Sequence, residues 1–87
     1  MDKLYNVKER VKRLCNTKVV LGGITKEDAD ALSIAADIMT RQGRNNAQAV
    51  GIISYHVRNH TAVLMRDKYT VGALEEAMRC VNLELAK

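Results

Sequence analysis

At 87 residues and 47% hydrophobic content, the chain is long enough for one folded domain, too short for two cores and too apolar for a disordered tail. It has no Phe, Trp or Pro, so aliphatic residues and Met must fill the core and only five glycines interrupt helical segments; this predicts an all-α protein. The net charge of +4 is unevenly spread: +4 over residues 1–20, −2 over 21–43, +3 over 44–69 and −1 over 70–87.

A basic block flanked by acidic ones suits a phosphate backbone as partner. No apolar run approaches the roughly 20 residues of a membrane span, and the opening Met1-Asp2-Lys3-Leu4-Tyr5 leads into no apolar signal region. Cys15 and Cys80 are too few for a disulfide scaffold and read as reduced thiols of a cytoplasmic protein.

In chain order, residues 2–16 form the first helix. Leu4, Val7, Val11 and Leu14 fall at i, i+3, i+7 and i+10, a narrow apolar stripe suited to docking on a partner helix, among Lys3, Lys8, Glu9, Arg10, Lys12 and Arg13. Gly22-Gly23 marks a break, separating an N-terminal amphipathic helix (1–22) from a helical domain (23–87). Thr25 caps a second helix whose first turn is acidic and whose buried face is Ala29, Leu32, Ala35, Ala36 and Met39, widened by Ile34 and Ile38. Arg41 and Gly43 end it. Asn45 or Asn46 then caps a short third helix through Val50.

Ala47, Gly51 and Val57 have the spacing of a helix-turn-helix: a small residue where two helices cross, a glycine for the tight turn, and an apolar anchor on the second helix. That second helix is expected from about Ser54 to Asp67, with Val57, His60, Thr61 and Leu64 inward and Tyr55, His56, Arg58 and Asn59 outward. A rival reading pairs residues 50–57 and 62–65 as a β-hairpin around Asn59-His60. Tyr69-Thr70 is a connection, Thr70 caps the last helix, and Leu74, Ala77, Met78, Val81 and Leu85 make its stripe. The whole is a small helical domain of four to five helices with a central helix-turn-helix and an extra N-terminal helix.

From about residue 24 to 85 the chain resembles the LuxR/GerE-type DNA-binding domain. The resemblance rests on Ile24-Thr25-Lys26-Glu27 before an acidic helix, on Ile53-Ser54-Tyr55-His56-Val57-Arg58-Asn59-His60 as the recognition helix, and on Lys68-Tyr69-Thr70-Val71 followed by Ala77. Asn45-Asn46 replaces the family's Glu-Ile, Thr61 replaces its Leu, and one extra residue lies between Met65 and Lys68. The resemblance implies four helices, a dimerising last helix, and binding to duplex DNA. Carried onto this sequence, the DNA-binding residues are Arg44, Ser54, Tyr55, His56, Arg58, Asn59, Arg66 and Lys68, with Tyr55, His56 and Asn59 at bases or nearby phosphates and the arginines and Lys68 on phosphates.

Other chemistry is thin. His56 and His60 have an i, i+4 zinc spacing, but no Glu follows His56 and no third ligand is near; a phosphate-contacting His56 and a packed His60 are expected instead. Lys12, Arg13 and Lys18 surround Cys15 without a partner base. Asp28, Asp30 and Asp37 read as a solvated helix face. No catalytic constellation appears, so the expected protein is non-enzymatic and carries no cofactor or metal.

Two functions fit. One is a small transcriptional regulator that binds duplex DNA as a homodimer. The other is an all-α inhibitor or assembly factor that docks a protein through its helices, favoured by Asn45-Asn46 and an exposed Val63. In both, Leu4, Val7, Val11, Leu14, Leu74, Met78 and Val81 form the dimer or partner interface.

Overall fold

A computed structural model describes residues 3–16, 24–43, 46–59 and 67–87. Four helices follow in order: α1 (Lys3–Asn16), α2 (Lys26–Arg41), α3 (Ala47–Arg58) and α4 (Lys68–Leu85), with no strand among the described residues. The all-α class expected from composition is observed. Residues 50–57 are helical, so the hairpin reading fails there.

α2 runs through the middle of the fold. Ala29, Ala31, Leu32, Ala35, Ala36, Ile38 and Met39 are all buried, and α2 contacts each of the other helices. Four alanines on one helix let its neighbours approach closely, which compensates for the missing large aromatics. The Thr25 hydroxyl accepts from the Asp28 N–H at 3.0 Å, closing its N-terminus as the sequence predicts. At the far end Gln42 is the C-cap and Gly43 follows at φ +67, the left-handed position that terminates many helices.

The narrow stripe of α1 is core. Val7, Val11 and Leu14 are buried and Leu4 packs against them, in the same cluster as Leu74, Ala77 and Val81 of α4. This corrects the expectation of a partner-docking face: α1 lies against α4 and α2 and shares their core, while Gly22-Gly23 lie outside the described residues. Met78 is partly buried against that cluster. A charge at Val7 or Val81 is thus expected to unfold the domain, not to part a dimer.

The helix-turn-helix spacing is also corrected. Residues 47–58 form one uninterrupted helix, and Gly51 sits in its exposed middle. The glycine at positive φ is Gly43, directly after the C-cap of α2. The second helix expected to Asp67 ends at Arg58, while Asp67 caps α4 by accepting the Thr70 N–H at 2.8 Å. Thr70, read as that cap, is buried in the first turn. His60, Thr61, Val63, Leu64, Asn45, Arg44 and Arg66 lie outside the described residues.

Asp28, read as solvated, is 2% exposed. Its carboxylate accepts from Arg10 at 3.1 Å and Arg13 at 2.5 Å, joining α1 to α2. Burial pushes the carboxyl up, but the bonds from Arg13 and Arg10, the Arg13 charge and the Thr25 hydroxyl outweigh it and hold Asp28 below its ordinary 3.8.

Two predictions follow from these positions. Asp28→Asn should lower stability at pH 7 by about 1–3 kcal/mol in urea unfolding, because the two arginines lose the negative charge that pairs with them. A depressed carboxyl stabilises above its unfolded pKa, so the gap between wild type and variant should close as pH falls below 3.8 and through the folded value. The glycines should respond with opposite signs. Gly51→Ala, mid-helix with nothing within 4 Å of the new Cβ, should raise stability by about 0.5–1 kcal/mol. Gly43→Ala, at φ +67, should lower it by about 1–2 kcal/mol. Thermal melts of the two variants test both signs.

Candidate nucleic-acid interface

The outward side of α3 is set by what faces inward. Ile53 and His56 are buried, and Ala49, Val50, Ile52 and Val57 pack partly against the core. A continuous helix then turns Ala47, Gln48, Gly51, Tyr55 and Arg58 outward, at i, i+1, i+4, i+8 and i+11. α3 contains no acidic residue; α2 exposes Glu27, Asp30 and Asp37 instead.

Of the sequence-predicted DNA contacts, Tyr55, Arg58, Asn59 and Lys68 are exposed and Ser54 is half-buried. The Asn59 amide donates to the Tyr55 carbonyl at 3.0 Å, closing the helix end. His56 does not belong with them. It is 4% exposed, three residues after Ile53 on the inner face, and does not stand on the outward side with them. Reading a turn at Gly51 detached Ile53 from the helix and so rotated the expected inner face away from His56.

The N-terminal turn of α4 lies beside this ridge. Asp67 fixes it as cap, and Lys68 and Tyr69 project from it. The Lys68 ammonium sits 5.2 Å from the Tyr69 ring centroid, a cation–π distance. Tyr55 is 47% exposed and Tyr69 57%. Between α3 and α4 is a cleft of about 320 Å³: Gln48, Gly51, Ile52, Tyr55 and His56 on one side, Asp67, Tyr69 and Thr70 on the other. A second depression of about 250 Å³ shares Gln48, Ile52 and Tyr69 with it and extends to Lys68, Gly72 and Ala73.

Burial pushes the His56 imidazole below its ordinary pKa, against a smaller upward pull from Asp67. Asp67 is itself held low, chiefly by the Thr70 N–H. The Tyr55 and His56 rings meet edge to face, centroids 5.3 Å apart and planes at 79°.

Gln48, Tyr69 and Gly72 were missed by the sequence reading. The available signal was the Thr70, Ala73, Leu74, Ala77 spacing, which extends the last helix back to Asp67 and puts Tyr69 on its surface. Among the described residues no group of three His, Cys, Asp or Glu is placed to hold a metal, and Cys15 and Cys80 are both buried. No described helix is long and apolar enough to cross a membrane. Comparison with protein families, curated proteins and solved structures finds no match to this chain.

A histidine whose folded pKa is depressed stabilises the fold above its unfolded value and loses that stability as pH falls. The urea midpoint should therefore drop between pH 7.5 and pH 5.5, and His56→Gln should flatten that dependence. An equally steep dependence in the variant would assign it elsewhere.

Proposed function

We propose that this chain binds duplex DNA through the outward side of α3 and the first turn of α4. The observation that carries the reading is the exposed side of α3, which presents Gln48, Tyr55 and Arg58 and no acid, with Gln48 beside Lys68 and Tyr69. Recognition helices meet base edges with their N-terminal residues, and Gln48, second in α3, is a type that reads adenine bidentately. Arg58 and Lys68 supply phosphate neutralisation, and the tyrosines offer hydroxyls to the backbone. The LuxR/GerE resemblance assigns DNA contact to this same stretch. Here the helix that precedes α3 is α2.

What favoured the partner-docking alternative, Val63 and Asn45, lies outside the described residues. Its apolar stripes on α1 and α4 are used inside one copy of the fold, as is the surface assumed for a dimer.

Arg58→Ala should weaken duplex binding and flatten the slope of log affinity against log salt by about one unit, with the melting temperature unchanged. Fluorescence anisotropy on labelled duplex across a salt series measures it. An unchanged slope, or affinity indifferent to salt in the wild type, would reject the interface.

A further inference from the structure

His56 is more than nine-tenths buried, lines the α3–α4 cleft, and makes no hydrogen bond among the described residues. A neutral imidazole carries one donor and one acceptor, and buried polar groups in folded proteins are nearly always satisfied. Asp67 faces it from the α4 cap, where its Oδ1 accepts the Thr70 N–H, and it acts on the imidazole through its charge. The cleft therefore carries an imidazole that no described residue hydrogen-bonds.

The walls say what would use it. Tyr55 and Tyr69 give the rim exposed ring faces. Gly51 contributes room: a Cβ built there meets nothing within 4 Å. The Tyr55 and His56 planes stand at 79°, so a flat ligand cannot lie against both; stacked on the tyrosine, it meets the imidazole by another contact. About 320 Å³ is at the small end of ligand clefts, the scale of one ring system. A plain phenyl ring would use the tyrosines and make no hydrogen bond to His56 or the Gln48 amide. A sugar would satisfy the polar groups and offer no π face. A nucleobase does both, carrying donors and acceptors on its edge and a face that stacks on any aromatic ring. The adjoining depression then leads past Tyr69 to the Lys68 ammonium, the charge a phosphate needs.

We propose that the α3–α4 cleft binds a single nucleobase, stacked at the tyrosine rim with its edge toward His56 and Gln48 and its phosphate toward Lys68. The base has two possible sources, a free nucleoside monophosphate or an unstacked base of a single strand. The site uses the face assigned above to duplex DNA, but it does not depend on duplex binding, since a paired base is not free to enter.

The test is a titration of the full chain followed by amide chemical shifts, with adenosine and thymidine monophosphates, single-stranded oligothymidine, the same strand made abasic, ribose 5-phosphate and a duplex. Shifts at Gln48, His56 and Thr70 with a mononucleotide identify a free nucleotide as ligand. The same shifts with the intact strand alone, and not with its abasic form, identify a strand base. Equal shifts with ribose 5-phosphate or abasic strand would overturn the proposal, since phosphate would then suffice. Duplex binding with none of the other responses would overturn it and leave the α3 interface standing. Mononucleotide binding without duplex binding would do the reverse.

Gly51→Leu supplies the second arm. A leucine projects into the cleft from a helical position that tolerates it, so affinity should fall at least tenfold with no loss of melting temperature. Tyr69→Ala should weaken binding by roughly 5- to 150-fold, the range of a lost base–aromatic stack. Undiminished affinity in a folded Gly51→Leu would place the ligand outside the cleft and reject the proposal.

Discussion

The buried amide of Asn46 decides how the rest of this fold is arranged. Asn46 is the N-cap residue of α3, yet its side chain makes no cap bond. The amide instead donates to the Met39 carbonyl of α2 at 3.3 Å and lies 3.9 Å from the Cys80 sulfur of α4. One short side chain thus ties the start of α3 to both helices beneath it. Nearby, Gln42 donates to the Cys80 carbonyl at 2.8 Å, so both ends of the α2–α3 connection are fastened to the same point on α4. With its start held there, α3 has one rotational setting that buries Ile53 and His56, and that setting turns Gln48, Tyr55 and Arg58 outward. A buried polar side chain with partners on two elements specifies geometry in a way an apolar one does not.

At the other side of the core, Asp28 does the equivalent for α1. A carboxylate at 2% exposure between two arginines requires the two helices to meet at one register, because any slip leaves a buried charge unpaired. The arginines reach it with their heads still partly in water, which keeps their own desolvation small. α1 contacts α4 and α2, and among the described residues it does not reach α3. It completes the core without touching the face proposed to bind nucleic acid.

The helical class and the bounds of α1 and α2 were legible because Leu4, Val7, Val11, Leu14 and the alanine-rich face of α2 repeat at helical spacing and Thr25 caps as such residues do. What these stripes pack against was not legible. A narrow stripe reads the same whether its partner is another molecule or a helix from the far end of the chain, and here α1 meets α4 across most of the sequence. The turn was misplaced because two glycines, Gly43 and Gly51, compete for it, and a glycine tolerated mid-helix carries no local mark that separates it from one held at positive φ. Asp28 was misread for a related reason. Its polarity argues for solvent unless Arg10 and Arg13 are known to converge on it. Within the candidate site, Tyr55, Arg58 and Lys68 were found by residue type, whereas the cleft itself depends on where α4 begins, which Asp67 decides.

The residue types missing from the core have an optical counterpart. The chain has three tyrosines and no Phe or Trp, and Tyr5, Tyr55 and Tyr69 are all exposed. Near-UV circular dichroism normally gauges fixed interior packing through buried aromatic rings. In this protein the interior contributes no chromophore of that kind, so loss of the core would leave little trace in that spectrum. Two of the three rings rim the α3–α4 cleft, and the third lies on α1 beside Lys8. The molecule is spectroscopically inverted: its ultraviolet signals report its surface, and most of that report comes from the cleft.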